Sequence, residues 1–432
     1  TSLYPRILYT FSDCVVFVLR NPKTFQSSVL TKLIDWGAAA LERSINQPSL
    51  PHCIVTLNCS DATIDPSQWD SDCATQALLS SVRGAINLTE GVPRFRALAD
   101  HWRKLGRDIC SVEDLILCYY GSFRVVRLPT GSQFNRMQEQ VAQLRQAIKQ
   151  CCYRSSEAKK RTRMQSDAVE LGTYLQSGLD HFTSHLDLPF DFMQVSLAQN
   201  PIPHSFGDHI LQLCLAIQRL CLGKQDETRR LLERVGTFVA SCVLLDCARY
   251  RKGRLETLSI PYEQFFERAV GEYLALHVRC AYSSPNGARR CNMVQARHDI
   301  KGHQDMRGVI ASGEFVPPFG IAFANQWTRQ HKEAMSQLEI DFCYRRENTS
   351  LAMSDRKIAW ELHLESVREF YGNLGAPATM VRSHATCLCC LKETPQYTLP
   401  CGHVLCEQCT HAFGQRNEMS LMVECCPLHR SD

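Results

Sequence analysis

HCIVTLNCSD, residues 52–61, is a run of apolar and β-branched residues whose length suits one buried strand. An earlier run, DCVVFVLRN (13–21), has the same character. Between them lies KTFQSSVLTKLIDWGAAALERSI, where Val29, Leu30, Leu33, Ile34 and Leu41 recur at helical spacing until Pro48 and Pro51 break the pattern. Strand, helix and strand at this length predict a right-handed crossover with parallel pairing. A helical stretch over 67–84, then VEDLILCYYG and a third strand, FRVVRLP (123–129), complete a small doubly wound α/β unit over 1–131.

Beyond it the periodicity changes. FNRMQEQVAQLRQAI sets Phe134, Met137, Val141, Leu144 and Ile148 on one stripe, and further helical stripes run over 164–183, 207–222, 226–248, 261–280 and 352–371. A mainly α-helical region is therefore expected over 132–382. Residues 284–325 interrupt it with glycine and proline, and no internal repeat is visible.

Composition bounds the rest. With 44% hydrophobic and 21% charged residues, the chain is that of a globular protein with real cores. A net charge of +4 gives no reason to expect a nucleic-acid partner, and the basic run KKRTR (159–163) reads as a solvated helix face. No apolar run approaches the roughly 18 residues of a membrane span. The N-terminus carries no secretory pattern and no initiator Met, which reads as a fragment or processed chain. Without a secretory signal, the 23 cysteines point to a reducing, cytoplasmic setting rather than a disulfide framework.

Eight of those cysteines crowd into the last 46 residues, and their spacing is that of metal ligands. Cys387 and Cys390 form a C-x2-C pair, Cys401 and His403 a C-x-H pair, Cys406 and Cys409 a second C-x2-C pair, and Cys426 and His429 a C-x2-H pair. A tight turn presents two ligands to one tetrahedral ion and two such pairs close its shell, so four pairs predict two Zn2+ ions. Cys389 and Cys425 fit the spacing less well and read as packing residues. A segment this short cannot bury enough surface to fold alone, and zinc would supply the missing stability. A further group, Cys280, Cys291, His298 and His303, has ligand chemistry but ten, six and four intervening residues. Its cysteines are too far apart for a finger knuckle, and solvated loop histidines are the expectation.

The order C-x2-C…C-x-H-x2-C-x2-C…C-P-x-H resembles a RING finger, here over 383–432, with His429 in place of the usual last cysteine. The resemblance implies interleaved sites: Cys387, Cys390, Cys406 and Cys409 around one ion, and Cys401, His403, Cys426 and His429 around the other. It also implies docking of a ubiquitin-conjugating enzyme by Leu388 or Cys389, Pro427 and Arg430, with Arg430 positioning the thioester. Ubiquitin-ligase activity is one reading of such a finger, and a finger that only binds proteins or braces its neighbours is the other.

VTLNCSD also resembles the guanine-reading N-K-x-D strand of GTPases, with Asn58 and Asp61 matching and Cys59 replacing the lysine. No G-x-x-x-x-G-K-[ST] phosphate loop occurs, and DMRG (305–308) lies in the wrong order, so the implied unit is a truncated, GTPase-like one without turnover. Together with the finger, VVFVLRNPK and VTLNCSD resemble large fungal multidomain proteins in which a RING-like finger precedes a patatin-like phospholipase domain. The G-x-S-x-G nucleophile of that lipase is missing from this chain.

Overall fold

The computed structural model describes residues 3–19, 26–42, 44–60, 63–82, 93–131, 133–185, 188–221, 224–298, 302–348, 355–373, 397–398, 404–406 and 408–409. These divide between two compact units, Thr1–Gln199 and Asn200–Asp432. Most of the described residues are helical, and among them no helix is long and apolar enough to cross a membrane.

The first unit runs α1 (Leu3–Phe11), β1 (Cys14–Leu19), α2 (Gln26–Leu41), β2 (Ser44–Ile45), β3 (His52–Ser60), α3 (Ser71–Val82), α4 (Pro93–Lys104), α5 (Val112–Leu117), β4 (Phe123–Pro129), α6 (Phe134–Arg161), α7 (Ala168–Ser184), β5 (Phe190–Asp191) and α8 (Phe192–Gln199). The three strands expected from the sequence form one parallel sheet in the order β1-β3-β4, with Cys14 opposite His52 and Cys53 opposite Phe123. Both faces of β3 and β4 are covered, which is why these strands read as continuous apolar runs rather than as alternation, whereas β1 at the edge of the sheet is half-buried and exposes Val18. Cys53, Val55 and Leu57 point into a large core with Leu30, Leu33 and Ile34 of α2, Leu78 of α3 and Phe95 of α4. Ile54 and Val126 face the other way, under α6. Helix starts follow local chemistry: Ser111 with Asp114, and Asp167 with Glu170, form capping boxes at α5 and α7.

At Val125 the outer edge of β4 is capped by α3. Thr75 Oγ1 accepts from the Val125 N–H at 2.9 Å, and Ser71 Oγ donates to the Val125 carbonyl at 2.8 Å. Both backbone groups of Val125 therefore find partners without a further strand.

The structure corrects three expectations here. Helix α6 buries Gln140, Ala147, Cys151 and Ser155; of the expected stripe, Leu144 and Ile148 pack half-buried against the sheet, while Phe134 and Val141 are exposed. Small side chains let the helix lie close on the sheet, and α6, α7 and α8 all belong to the first unit rather than to the helices after Gln199. The run 159–163 is also not a plain solvated face: Lys159 pairs with Asp13 and Arg163 is buried.

The second unit contains α9 (Phe206–Leu220), α10 (Gln225–Tyr250), α11 (Leu255–Leu258), α12 (Ile260–Leu276), β6 (His303–Asp305), β7 (Gly308–Ala311), α13 (Phe323–Asn348), α14 (Asp355–Asn373), β8 (Tyr397–Thr398) and β9 (Val404–Leu405). Helix α10 is its axis, burying Leu232, Val235, Val239, Val243 and Leu244 among α9, α13 and α14. Helix α13 has no counterpart among the sequence stripes. Its buried face is Phe323, Trp327, His331, Met335, Leu338 and Phe342, a row at helical spacing with a histidine in the middle. His331 is accommodated by stacking on Phe266 with ring centroids 4.1 Å apart and by a 2.9 Å contact from Nδ1 to the Gly236 carbonyl.

Candidate metal centre

Between α12 and α13 the chain builds a small structure that is mostly backbone ladder. Residues 279–284 and 289–294 run antiparallel, with Cys280 N–H donating to the Met293 carbonyl (2.9 Å), Cys291 N–H to Tyr282 (3.0 Å) and Ser284 N–H to Arg289 (2.9 Å). Pro285, Asn286 and Gly287 make the turn, with Gly287 at φ +68°. Strands alternate their side chains, so Cys280, Tyr282 and Cys291 share one face, and Arg279, Ser283 and Arg290 the other. Cys280 opposes Met293, which places it diagonally across from Cys291.

A second hairpin completes the site. β6 and β7 pair antiparallel, and the Asn292 N–H donates to the Gln304 carbonyl at 2.8 Å, joining the two hairpins. Its turn is Asp305–Gly308: Asp305 caps the Arg307 N–H, Gly308 takes φ +115°, and Arg289 grips the Asp305 carboxylate with two contacts of 2.7 and 2.6 Å. His303 thereby lies over the first hairpin, its ring parallel to Tyr282 at 3.8 Å between centroids. His298, at the end of the short 3-10 turn Gln295–Arg297, closes in from the side and meets Phe315 edge-on.

The outcome is that one ligand atom from each of Cys280, Cys291, His298 and His303 lies within 4.8 Å of all the others. The expectation of solvated loop histidines is corrected: His303 is buried, as are both cysteines, and His298 is half-buried. A tetrahedral zinc with ordinary bond lengths has ligand edges of about 3.3 Å between nitrogens and about 3.6 Å between nitrogen and sulfur. Here His298 Nε2 and His303 Nδ1 are 3.1 Å apart, and Cys280 Sγ is 3.4 Å from His303 Nδ1. The donor set fits one ion with no rearrangement beyond a few tenths of an ångström at these edges. Two thiolates with two imidazoles match zinc better than calcium or magnesium, which take oxygen ligands.

The surroundings are built for the ligands. The Val316 N–H donates to Cys280 Sγ at 3.3 Å. Burial pushes the Cys280 thiol up and the His303 imidazole down, the latter helped by His298. Two glycines hold His303 in place. Gly302 has φ +86°, and a Cβ there would stand 2.4 Å from the Ala311 carbonyl oxygen; at Gly313, with φ +152°, it would stand 2.9 Å from His303 Nε2.

Of the tail ligands, Cys387, Cys390, Cys401, His403, Cys426 and His429 lie outside the described residues, as do Leu388, Pro427 and Arg430. Cys406 and Cys409 are described. β8 and β9 form a hairpin, Tyr397 opposite Leu405, that delivers the chain into buried Cys406, and the Cys409 N–H donates to Cys406 Sγ at 3.4 Å. Asn58 sits half-buried in β3, and Asp61 lies outside the described residues. No protein-family model matches the chain, and no curated protein or solved structure matches it.

Proposed function

We propose that the chain is a zinc-structured protein whose business is protein–protein recognition, and that its metal ions are structural. The observation that carries this reading is the convergence of Cys280, Cys291, His298 and His303. Four protein ligands fill a tetrahedral shell and leave no position for water or substrate, which favours bracing over metal catalysis. The metal would hold together a segment whose own regular structure is two short strands and one 3-10 turn.

The tail adds two ions and a partner class to the proposal. The N–H donation from Cys409 to Cys406 Sγ, at the exit of a hairpin, supports a C-x2-C turn poised to share a metal. In this reading the RING-type finger at 383–432 presents Leu388, Pro427 and Arg430 to a ubiquitin-conjugating enzyme. Arg430 then orients the loaded thioester, so the finger works by positioning and not by a nucleophile of its own.

Elemental analysis of the purified chain tests the metals: the expected ratio is three zinc ions per chain. Cys291→Ser lowers it to two through the Cys280 centre, and Cys426→Ser lowers it to two through the tail. A ratio that Cys291→Ser leaves unchanged removes the centre, and one that Cys426→Ser leaves unchanged removes that tail site. Discharge of ubiquitin from a panel of loaded conjugating enzymes tests the partner. Acceleration by the wild type and its loss in Arg430→Ala support the ligase reading, whereas no acceleration across the panel leaves a finger that only binds or braces.

A further inference from the structure

All three strands of the first sheet begin at one edge, and that edge collects sulfur and cationic groups. β1 starts at Cys14, β3 at His52 and β4 at Phe123, side by side. Helix α6 crosses the face above them and brings Cys151 into contact with Cys14, Ile54 and Val126. Cys14 packs against the cluster that holds Cys151, and both its thiol and the Ser122 hydroxyl lie where a hydrogen bond to the Cys151 sulfur would favour the thiolate. Ser122 Oγ is in turn 2.8 Å from His52 Nδ1. A cavity of about 220 Å3 borders the sulfur; its charged lining is Arg124 and Arg154 together with the carboxylates Asp72 and Glu113, and Ser122 and Cys151 stand beside them.

The thiol, the hydroxyl and the two guanidinium groups favour negative charge on the same atom. The Cys14 thiol does most to hold Cys151 below the ordinary thiol range; burial opposes it, and Ser122, Arg124 and Arg154 add to it. Asp72 is the nearest acid to Arg124, but at 4.0 Å and largely in water it screens that guanidinium weakly. Among the described residues, Cys214 and Cys53 lack this company. Burial alone pushes Cys214 up to about 12, and burial followed by Cys151 pushes Cys53 up. Buried thiols of that kind are inert, while a thiolate with donors, cations and an approach is a nucleophile.

We propose that Cys151 and Cys14 form a dithiol site for a hydroperoxide, with Cys151 the attacking sulfur and Cys14 the resolving one. The Cys151 thiolate attacks the terminal peroxide oxygen, the O–O bond breaks, and the departing alkoxide or hydroxide takes up a proton. The sulfur has lost two electrons to the peroxide and carries a hydroxyl as a sulfenic acid. Cys14, already in contact, then attacks Cys151, forms the disulfide and expels the hydroxyl, which leaves as water with the Cys14 proton. The net change is two thiols and one peroxide to one disulfide, water and the corresponding alcohol or a second water. Once formed, the bond ties α6 to β1, and a thiol reductant reverses it.

The test uses the full chain and hydrogen peroxide, with remaining thiols blocked by N-ethylmaleimide and peptides mapped without reduction. A linked peptide joining Cys14 to Cys151 is expected. In Cys14→Ser, a sulfenic acid that dimedone captures should persist at Cys151. At neutral pH, iodoacetamide should label Cys151 roughly tenfold faster than Cys214 in the unoxidised wild type, a comparison that needs no variant to fold. Ser122→Ala should slow labelling of Cys151 severalfold and leave Cys214 unchanged. Labelling of Cys151 no faster than of Cys214 overturns the proposal, as does a peroxide-linked peptide that joins Cys151 to its neighbour Cys152 in place of Cys14.

Discussion

Gly302 shows how much a single residue can control when a backbone approach is close. Its positive φ and the 2.4 Å gap to the Ala311 carbonyl leave no room for a Cβ, and a carbonyl in a ladder cannot swing aside as a side chain would. Gly302→Ala should therefore displace His303, cost at least about 2 kcal/mol, and weaken zinc retention in a competition with a chelating dye. Unchanged retention would mean that the turn tolerates the side chain and that His303 is not held from this point. His331 makes a different residue-scale prediction. Burial pushes its imidazole down, and the Gly236 carbonyl and Glu263, which work in the opposite sense, do not recover the difference. A folded state that resists protonation is at full strength above the unfolded value, about 6.5, and loses stability as pH falls through the depressed folded one. The urea midpoint should fall more between pH 7.5 and 5.5 for the wild type than for His331→Gln. Parallel pH curves for the two proteins would show that His331 is not an acid-sensitive point.

At the scale of elements, strands β3 and β4 are legible because burial on both faces leaves an uninterrupted apolar record, and half-buried β1 is legible from its β-branched run alone. Most helices were legible for the complementary reason, one apolar stripe per element. Helix α6 is legible as an element and only half legible as a face: Leu144 and Ile148 of its apolar stripe pack on the sheet, but Phe134 and Val141 stay exposed because close packing selects the smaller Ala147, Cys151 and Ser155. Helix α13 was missed because Trp327 and His331 carry its buried row, and neither announces a core as leucine does. The candidate metal centre is visible as chemistry and hidden as geometry. Finger spacing assumes that a tight turn supplies two ligands, whereas Cys280 and Cys291 meet diagonally across a ladder. The signal that could have exposed it is the turn at Pro285–Gly287, centred between the two cysteines, with Tyr282 in phase with both. The letters DMRG, which invite comparison with a nucleotide-binding motif, are the tip of the hairpin that carries His303.

For the molecule as a whole, the candidate ligands from Cys280 to His303 sit in one continuous stretch between two helices that also pack on other helices, away from the proposed site. Helices α10, α12 and α13 bury their own faces together. Chelation should accordingly melt 279–316 while α10 stays protected. Hydrogen exchange with and without a strong chelator would show this as fast exchange confined to that stretch, and loss of protection throughout α10 would instead make the metal a condition for folding the helices. The capped edge of β4 has a consequence of another kind. An open strand edge offers a row of backbone groups to any neighbouring molecule and is the ordinary route by which sheet proteins join into fibres and precipitates. Ser71 and Thr75 occupy the Val125 groups that such a neighbour would need. Thr75→Val keeps the shape and withdraws the acceptor, so the folded variant should show a shorter lag before light scattering rises at concentrations where the wild type stays clear. Shelf life, a property usually credited to surface charge, would then depend in this protein on one hydroxyl group.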